Sequence, residues 1–442
     1  GDPGNPSTYT LESGTTSVTL DNNSVLQIFD LNIDAEVVLL EDFKAKVTTG
    51  DKLVGALLAF ATPMPLLERM LGVHKLTGDD ELTVIFTSGS TGDPKGVVLT
   101  NHNIGSNVEA IDQVVHLRAD DTLMGILPFF HSFGFMVTLW TVLGLDVRCV
   151  YHFTPLDAKQ VSKLAGQWGV TVLLSTPTFL RSYLRRCNPA DFTKLEIVVA
   201  GAEKLPTDLC VAFEEKFGVR PVEGYGATEL SPLVSVNVPP KRSQTDEIDC
   251  KEGTVGRPVP GVTVKTVDPD SFAELPTGTA GMLLVKGPNV MKGYLGQPEK
   301  TAQVIRDGWY VTGDIAEIDR QGFIRITGRL SRFSKIGGEM VPHINIEEAI
   351  QEFVQSEDEE EVLAVVTAVA DVKKGERLVV VHRQLERTPQ QICDHLVLLG
   401  LPNLWIPSQD SFLQVESIPL LGTGKLDLKG LRQVACEHFG TQ

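Results

Sequence analysis

The amino-acid sequence predicts an α/β protein. A large N-terminal part of βα-layered sheets carries a small β-barrel-like subdomain and is followed by a small, mobile α+β domain. Three observations predict this. Between residues 82 and 225, short apolar β-rich runs alternate with helical patterns, as in βα units around a largely parallel sheet. Between 253 and 328 the chain becomes short strands punctuated by Gly and Pro, as in a small antiparallel sheet or barrel. Residues 330–342 are small, charged and Gly-rich, and read as a linker into a new α/β unit. The expected domains are therefore 1–329 and 330–442.

The 442 residues are 42% hydrophobic, an ordinary globular balance with room for two or three domains. With 39 basic and 57 acidic residues the net charge is −18, which argues against general nucleic-acid binding. Six cysteines stand far apart with no C-x-x-C pair. They read as reduced thiols of a cytoplasmic protein, not as a disulfide framework or a zinc site. No signal peptide opens the chain, and no apolar run reaches the ~18 residues of a spanning helix. Gly1–Asn5 reads as a disordered end or a remnant. The abrupt start suggests a truncated chain or part of a larger fusion protein.

Residues 53–71 are the most apolar segment. They read as a buried helix broken at Pro63 and Pro65, or as a surface element that touches an acyl chain or the inner face of a membrane. Next, Leu82–Phe86 reads as a buried strand that enters V-I-F-T-S-G-S-T-G-D-P-K-G at 84–96. Thr87, Ser88, Gly89, Ser90, Thr91 and Gly92 offer backbone N–H groups, hydroxyl donors and little bulk, which suits a polyphosphate. Lys95 adds positive charge, and Pro94 stiffens the approach. A lone Gly-rich turn would as readily be a plain surface turn; the ordered hydroxyls with Gly92, Pro94, Lys95 and Gly96 favour phosphate. Lys95 is followed by Gly96 and V-V-L-T, so this is a hairpin and not a Walker A loop.

Strand-like runs follow at 123–127, 147–151, 171–175 and 195–200, with helical stretches at 157–168, 177–186 and 206–217. Ligands of such sheets sit off the carboxyl ends of the strands, and the next motifs fall there. P-F-F-H-S-F-G at 128–134 sets His131 among aromatics, as a core histidine or as part of a site. A-G-A-E supplies Gly201, Ala202 and Glu203, where small residues let a flat base approach the backbone. E-G-Y-G-A-T-E at 223–229 supplies Glu223 and Gly224, Tyr225 to stack on a purine, Thr228 to donate to a phosphate and Glu229 to hold Mg²⁺. G-W-Y-V-T-G-D brings Asp314, able to accept from a ribose diol, and I-T-G-R brings Arg329, able to reach the same sugar. As lone residues, Asp314 and Arg329 would read as surface charges.

Beyond the linker, a helix starts near Ile346. Strands lie near 361–369 and 377–383, and a helix covers 389–399. S-E-D-E-E-E at 356–361 reads as a solvated loop. P-L-L-G-T-G-K-L-D at 419–427 sets Lys425 on a Gly-rich loop, where spacing alone reads it as a surface lysine.

The motif series from 81 to 427 resembles the adenylate-forming superfamily of acyl-CoA synthetases, luciferases and peptide-synthetase adenylation domains. The resemblance implies that ATP and a carboxylate give an acyl-adenylate and pyrophosphate, and that the acyl group then moves to a thiol. It implies that residues 87–92 and Lys95 hold the β- and γ-phosphates, Glu229 holds Mg²⁺, Tyr225 the adenine, and Asp314 with Arg329 the ribose. By the same resemblance the His131 segment lines the carboxylate pocket and Lys425 bridges the carboxylate and the α-phosphate. The C-terminal domain would rotate between half-reactions about Ser331, where most members carry an acidic or lysine residue. Pro342 stands one residue early with His343 in the usual proline's place, and Met282 replaces a common glutamate.

Leu420 and Leu421 replace the usual basic residue and threonine. With G-G-E-M-V at 337–341, this change is similar to the ligase part of bacterial acyl-acyl-carrier-protein synthetases. Those are often fused behind a 2-acylglycerophosphoethanolamine acyltransferase. The implied function is ligation of a long fatty acid to acyl-carrier protein, using ATP and Mg²⁺. The alternatives are a fatty acyl-CoA ligase and a non-catalytic nucleotide- or acyl-binding module. Arg181, Arg185 and Arg186, near one helix face, read as a docking patch for an acidic carrier protein or as a solvated face.

Overall fold

The computed structural model describes residues 8–13, 16–21, 46–88, 94–239, 241–243, 248–354, 362–420 and 426–440. Contacts divide the chain into units of 1–76 and 77–442. In the first unit, β1 (Thr8–Ser13) pairs antiparallel with β2 (Thr16–Asp21). Helices α1 (Thr49–Ala61) and α2 (Met64–Leu71) follow. Thr48 and Asp51 form a capping box, with Asp51 N donating to Thr48 Oγ1 at 3.2 Å and Thr48 N to Asp51 Oδ2 at 2.8 Å. The helical path breaks at Pro63, as the prolines predict. Burial departs from the expectation: neither helix has a buried residue, and Leu53, Leu57, Phe60 and Met70 are exposed. An apolar run marks a face that can be buried but does not supply the surface that buries it.

The second unit opens with β3 (Glu81–Ser88) and β4 (Pro94–Thr100), an antiparallel hairpin in register Thr87↔Lys95 and Ser88↔Pro94. This is the hairpin expected around the phosphate loop; Gly89–Asp93 lie outside the described residues. After α3 (Asn101–Val115) comes the main sheet: β5 (Thr122–Gly125), β6 (Arg148–Tyr151), β7 (Val172–Ser175), β8 (Ile197–Ala200), β9 (Val222–Gly226), β10 (Leu233–Val236) and β11 (Arg257–Pro258). Its order is β11-β10-β9-β8-β7-β5-β6, parallel from β9 to β6 and antiparallel at the β10–β11 end.

Helices α4 (Ala158–Trp168), α5 (Pro177–Arg186) and α6 (Thr207–Phe217) are the crossovers. Alternate residues of the central strands face opposite cores. Leu123, Leu174, Ile197 and Val199 pack on one side, and Met124, Leu173 and Val198 pack with Leu180 and Phe213 on the other. Burial on both faces is why these strands read as continuous apolar runs.

Residues 263–329 form the expected antiparallel sheet. It contains β12 (Thr263–Val267), β13 (Gly281–Lys286), β15 (Ile305–Arg306), β16 (Trp309–Ile318) and β17 (Ile324–Arg329). Within this stretch β14 (Gly293–Tyr294) leaves that sheet and pairs with β4 of the β3–β4 hairpin.

The C-terminal part has β18 (Phe333–Ile336), β19 (Glu339–Pro342), α7 (His343–Val354), β20 (Ala364–Asp371), β21 (Gly375–His382), α8 (Pro389–Leu398), β22 (Phe412–Gln414) and α9 (Leu428–Phe439). The linker expected over 330–342 is instead largely the β18–β19 hairpin. Gly337 and Gly338 have φ of +61° and +90°, the left-handed pair that a two-residue hairpin turn requires. Ile336 and Val341 are buried in the C-terminal core, so the segment is pinned. The acidic run at 356–361 lies outside the described residues. All six cysteines are free thiols, and no helix of the described residues is long and apolar enough to cross a membrane.

Candidate active site

Strand β9 delivers two groups of candidates within five residues. It ends at Gly226, where a Cβ would fall inside the contact radius of the Pro232 carbonyl oxygen, so only glycine lets the chain turn there. The turn places Thr228, whose Oγ1 lies 3.0 Å from Ser132 Oγ, both residues being buried. Ser132 adjoins His131, so the P-F-F-H-S-F-G and Y-G-A-T-E motifs meet. Glu229 accepts a hydrogen bond from the Tyr294 hydroxyl at 2.9 Å, and its backbone carbonyl accepts from Met291 N at 2.9 Å.

Upstream of the turn, the Tyr225 hydroxyl donates to Asp314 Oδ2 at 2.5 Å. Arg329 faces Asp314 directly across the β16–β17 register, with its Nε 3.0 Å from Asp314 Oδ1. Asp314 is 5% exposed, while the Arg329 side chain is 72% exposed. Burial pushes the Asp314 carboxyl above its ordinary range, against the pull of Arg329 and Tyr225. Burial likewise pushes the Tyr225 hydroxyl well up, so it remains a donor.

His131 is exposed and is not a core histidine. Its Nδ1 accepts from Phe133 N at 3.3 Å and caps the short helical turn Ser132–Gly134. The Phe133 ring lies over Gly201, where a Cβ would stand 3.3 Å from its edge. Ala202 adopts a left-handed φ of +69°. Glu203 is committed elsewhere: its Oε2 accepts from Thr178 Oγ1 at 2.7 Å and Thr178 N at 3.3 Å, at the start of α5. Glu223 Oε1 accepts from Leu205 N at 3.4 Å, and burial pushes its carboxyl up to about 7. Gly224 packs in the β9–β10 pairing opposite Val236.

Of the phosphate loop, Thr87 and Lys95 and the backbone of Ser88 are described; Gly89, Ser90, Thr91 and Gly92 are not. Lys95 Nζ lies 5.2 Å from the Tyr294 ring centroid. Lys425 also lies outside the described residues. The ends of its loop are joined by an antiparallel bridge between Leu420 and Leu426, with Asp427 N donating to Pro419 O at 3.0 Å. Ser132 and Tyr294 are the site residues that the sequence reading passed over. Ser132 sat inside the P-F-F-H-S-F-G motif and Tyr294 in the Gly- and Pro-punctuated strands, but the partner of each is remote in sequence.

The donor set fits Mg²⁺. Among the described residues no group of three or more His, Cys, Asp or Glu is placed to hold a metal ion by itself. Glu229 contributes one carboxylate, with the Thr228 hydroxyl on the residue before it. Mg²⁺ ordinarily takes one or two carboxylates together with substrate phosphates and water, so a single carboxylate donor is compatible with it.

The chain is an adenylate-forming enzyme. The family described as AMP-binding enzyme matches residues 12–295, and the chain belongs to it. It is 32% identical over 357 residues to a feruloyl-CoA synthase of Amycolatopsis sp, across 80% of this chain and 69% of that one. It is 31% identical over 314 residues to a long-chain-fatty-acid–CoA ligase of Bacillus subtilis (strain 168), across 70% of this chain and 53% of that one. The chain therefore spans about half the length of the Bacillus relative. Its fold is similar to the crystal structure of ATP-bound MatB from Rhodopseudomonas palustris, with TM-score 0.68 and 28% identity, covering 83% of this chain and 70% of that one. The chain is an enzyme of the AMP-forming acid–thiol ligase class. The relatives named here are CoA ligases and synthetases, so the resemblance to carrier-protein ligases rests on its motifs alone.

Proposed function

We propose that this chain activates a long-chain fatty acid with ATP and passes the acyl group to the phosphopantetheine thiol of acyl-carrier protein. The observation that carries the ligase reading is the double delivery by β9. Tyr225 joins the Asp314–Arg329 pair, and Thr228, three residues on, joins Ser132 beside His131. On this reading the nucleotide and the carboxylate are held next to each other, as joining ATP to an acid requires.

In the first step a carboxylate oxygen attacks the α-phosphorus, the bond to the bridging oxygen breaks, and pyrophosphate leaves. Thr87–Gly92 and Lys95 hold the β- and γ-phosphates. Tyr225, with the Gly201–Glu203 and Glu223–Gly224 segments, packs the adenine, and Asp314 and Arg329 hold the ribose. His131 and Thr228 border the reacting carboxylate. Lys425 stands between the two anions and offsets their repulsion. Glu229 would hold Mg²⁺, which when bound would supply charge neutralisation on the phosphates. In the second step the thiolate sulfur attacks the acyl carbon and AMP leaves. The domains are 1–329 and 330–442, and the smaller, carrying Lys425, turns about Ser331 between steps.

Two features support carrier protein as acceptor: the P-L-L-G-T-G-K and G-G-E-M-V motifs, and the exposed Arg181, Arg185 and Arg186 on α5. CoA is the second reading, favoured by the relatives' names. The proposed location is the cytoplasm, with peripheral contact to the inner face of a membrane supported by the exposed apolar side chains of α1 and α2. Competition of holo-carrier protein with CoA for one activated fatty acid tests the acceptor. The acyl thioester of the carrier protein should form first; preferential acyl-CoA formation replaces the first reading with the second. If no carboxylate stimulates ATP–pyrophosphate exchange, the ligase reading itself fails.

A further inference from the structure

We infer that Tyr294 is a positioning residue that ties the phosphate hairpin to Glu229, holding Lys95 and the Glu229 carboxylate in register. The inference rests on the proposed role of Glu229 toward Mg²⁺.

The backbone of Tyr294 is fastened to the return strand of the hairpin. β14 pairs Gly293 with Val98 and Tyr294 with Val97, while Leu295 N donates to Gly96 O at 2.8 Å and Lys292 N to Val98 O at 3.1 Å. Two residues before Val97 is Lys95, whose ammonium lies over the Tyr294 ring, 5.2 Å from its centroid. The ring thus gives Lys95 a cation–π partner. The other end of the same side chain donates to Glu229 Oε1 at 2.9 Å. The segment grips Glu229 twice, because Met291 N also donates to the Glu229 carbonyl at 2.9 Å. Tyr294 is 6% exposed, so its ring and hydroxyl are held within the packed interior.

A tyrosine that served only the core would need any acceptor at hand. This one spends its hydroxyl on the carboxylate assigned to the metal, and its ring on the lysine assigned to the phosphates. With one oxygen of Glu229 fixed by a donor, the carboxylate is oriented before ligand arrives, as outer-shell partners orient metal ligands. Ordering Glu229 and Lys95 in advance also reduces the side-chain entropy lost on binding.

Two substitutions separate the two contacts. Tyr294→Phe keeps the ring under Lys95 and removes only the hydroxyl; Tyr294→Leu removes both. ATP binding is titrated calorimetrically with and without Mg²⁺, on these variants and on Glu229→Gln. Tyr294→Phe should leave metal-free ATP affinity within about twofold of wild type and raise the Mg²⁺ concentration that half-tightens ATP binding about tenfold, the lower end for an outer-shell partner. Tyr294→Leu should weaken metal-free ATP binding as well. In a Glu229→Gln background, Tyr294→Phe should add nothing, since the hydroxyl acts through that carboxylate. The inference is overturned if Tyr294→Phe titrates with Mg²⁺ as wild type does while Glu229→Gln is impaired, or if Tyr294→Phe loses metal-free ATP binding. If Glu229→Gln itself titrates like wild type, the Glu229 assignment fails and Tyr294's role fails with it.

Discussion

The Tyr225 hydroxyl and the Arg329 guanidinium share one buried carboxylate, Asp314, with Tyr225 at 2.5 Å from Oδ2 and Arg329 at 3.0 Å from Oδ1. Asp314→Asn keeps the shape and a partner for Tyr225 but removes the charge that two ribose hydroxyls would meet. Hydrogen bonds to charged groups contribute about 1.5–3 kcal/mol, so the KM for ATP should rise roughly 10- to 100-fold. The KM for the fatty acid should hold. Tyr225→Phe instead leaves a buried carboxylate short of a donor and should cost about 1–3 kcal/mol in denaturant unfolding. An unchanged ATP KM in Asp314→Asn would remove the ribose assignment.

Glu223 makes stability depend on pH. Its folded value of about 7 lies above its ordinary 4.5, so the folded state binds the proton more tightly. The stabilisation is complete below 4.5 and is lost as pH rises through about 7, by up to about 3 kcal/mol. Buried His343 has the opposite sign. Burial holds it down to about 3 from 6.5, so its contribution is present above 6.5 and lost as pH falls. The quantity to measure is therefore the difference between wild type and Glu223→Gln in urea unfolding at pH 5 and pH 8. The variant should lack the loss between them, and identical pH slopes would contradict the assignment.

What the sequence made legible follows from burial. β7, β8 and α5 lie within two residues of their expected bounds because strands covered on both faces are plain apolar runs, and because Thr176 and Pro177 mark a helix start. The β18–β19 hairpin was hidden because Gly-Gly beside charged residues suits a flexible linker as well as a left-handed turn. The exposure of α1 and α2 was hidden because apolar content does not name its cover. Asp314 and Arg329 were legible as motif residues, but not their link to Tyr225. That link, the Glu229–Tyr294 bond and the engagement of Glu203 with Thr178 each join segments remote in sequence, and no local pattern encodes such pairings.

Lys204, next to the Gly201–Glu203 turn, lies 2.9 Å from Glu348 on α7, across the proposed 329/330 boundary. Both side chains are at least half exposed, so the pair contributes under about 1 kcal/mol and Lys204→Glu should leave the melting temperature unchanged. If the C-terminal part turns between half-reactions, the same small energy biases one orientation. Lys204→Glu should then shift the ratio of adenylation to thioester rates by about two- to fivefold, the reach of 1 kcal/mol, and adding Glu348→Lys should restore it. Parallel changes in both rates would count against a latch.

Lys425 falls between Leu420 and Leu426, which an antiparallel bridge joins, though the lysine itself lies outside the described residues. In the proposed reaction it acts only where carboxylate meets α-phosphate, since the second step joins a thiolate to an acyl carbon with the α-phosphate already bonded. Lys425→Ala should therefore lower adenylation by roughly 10²- to 10³-fold, the loss expected for one preorganised charge contact. Thioester formation from supplied acyl-adenylate should proceed at the wild-type rate. Pyrophosphate exchange measures the first step and single-turnover transfer measures the second. Equal losses in both would mean that the lysine supports the fold or the domain turn, and an unchanged exchange rate would remove it from the chemistry.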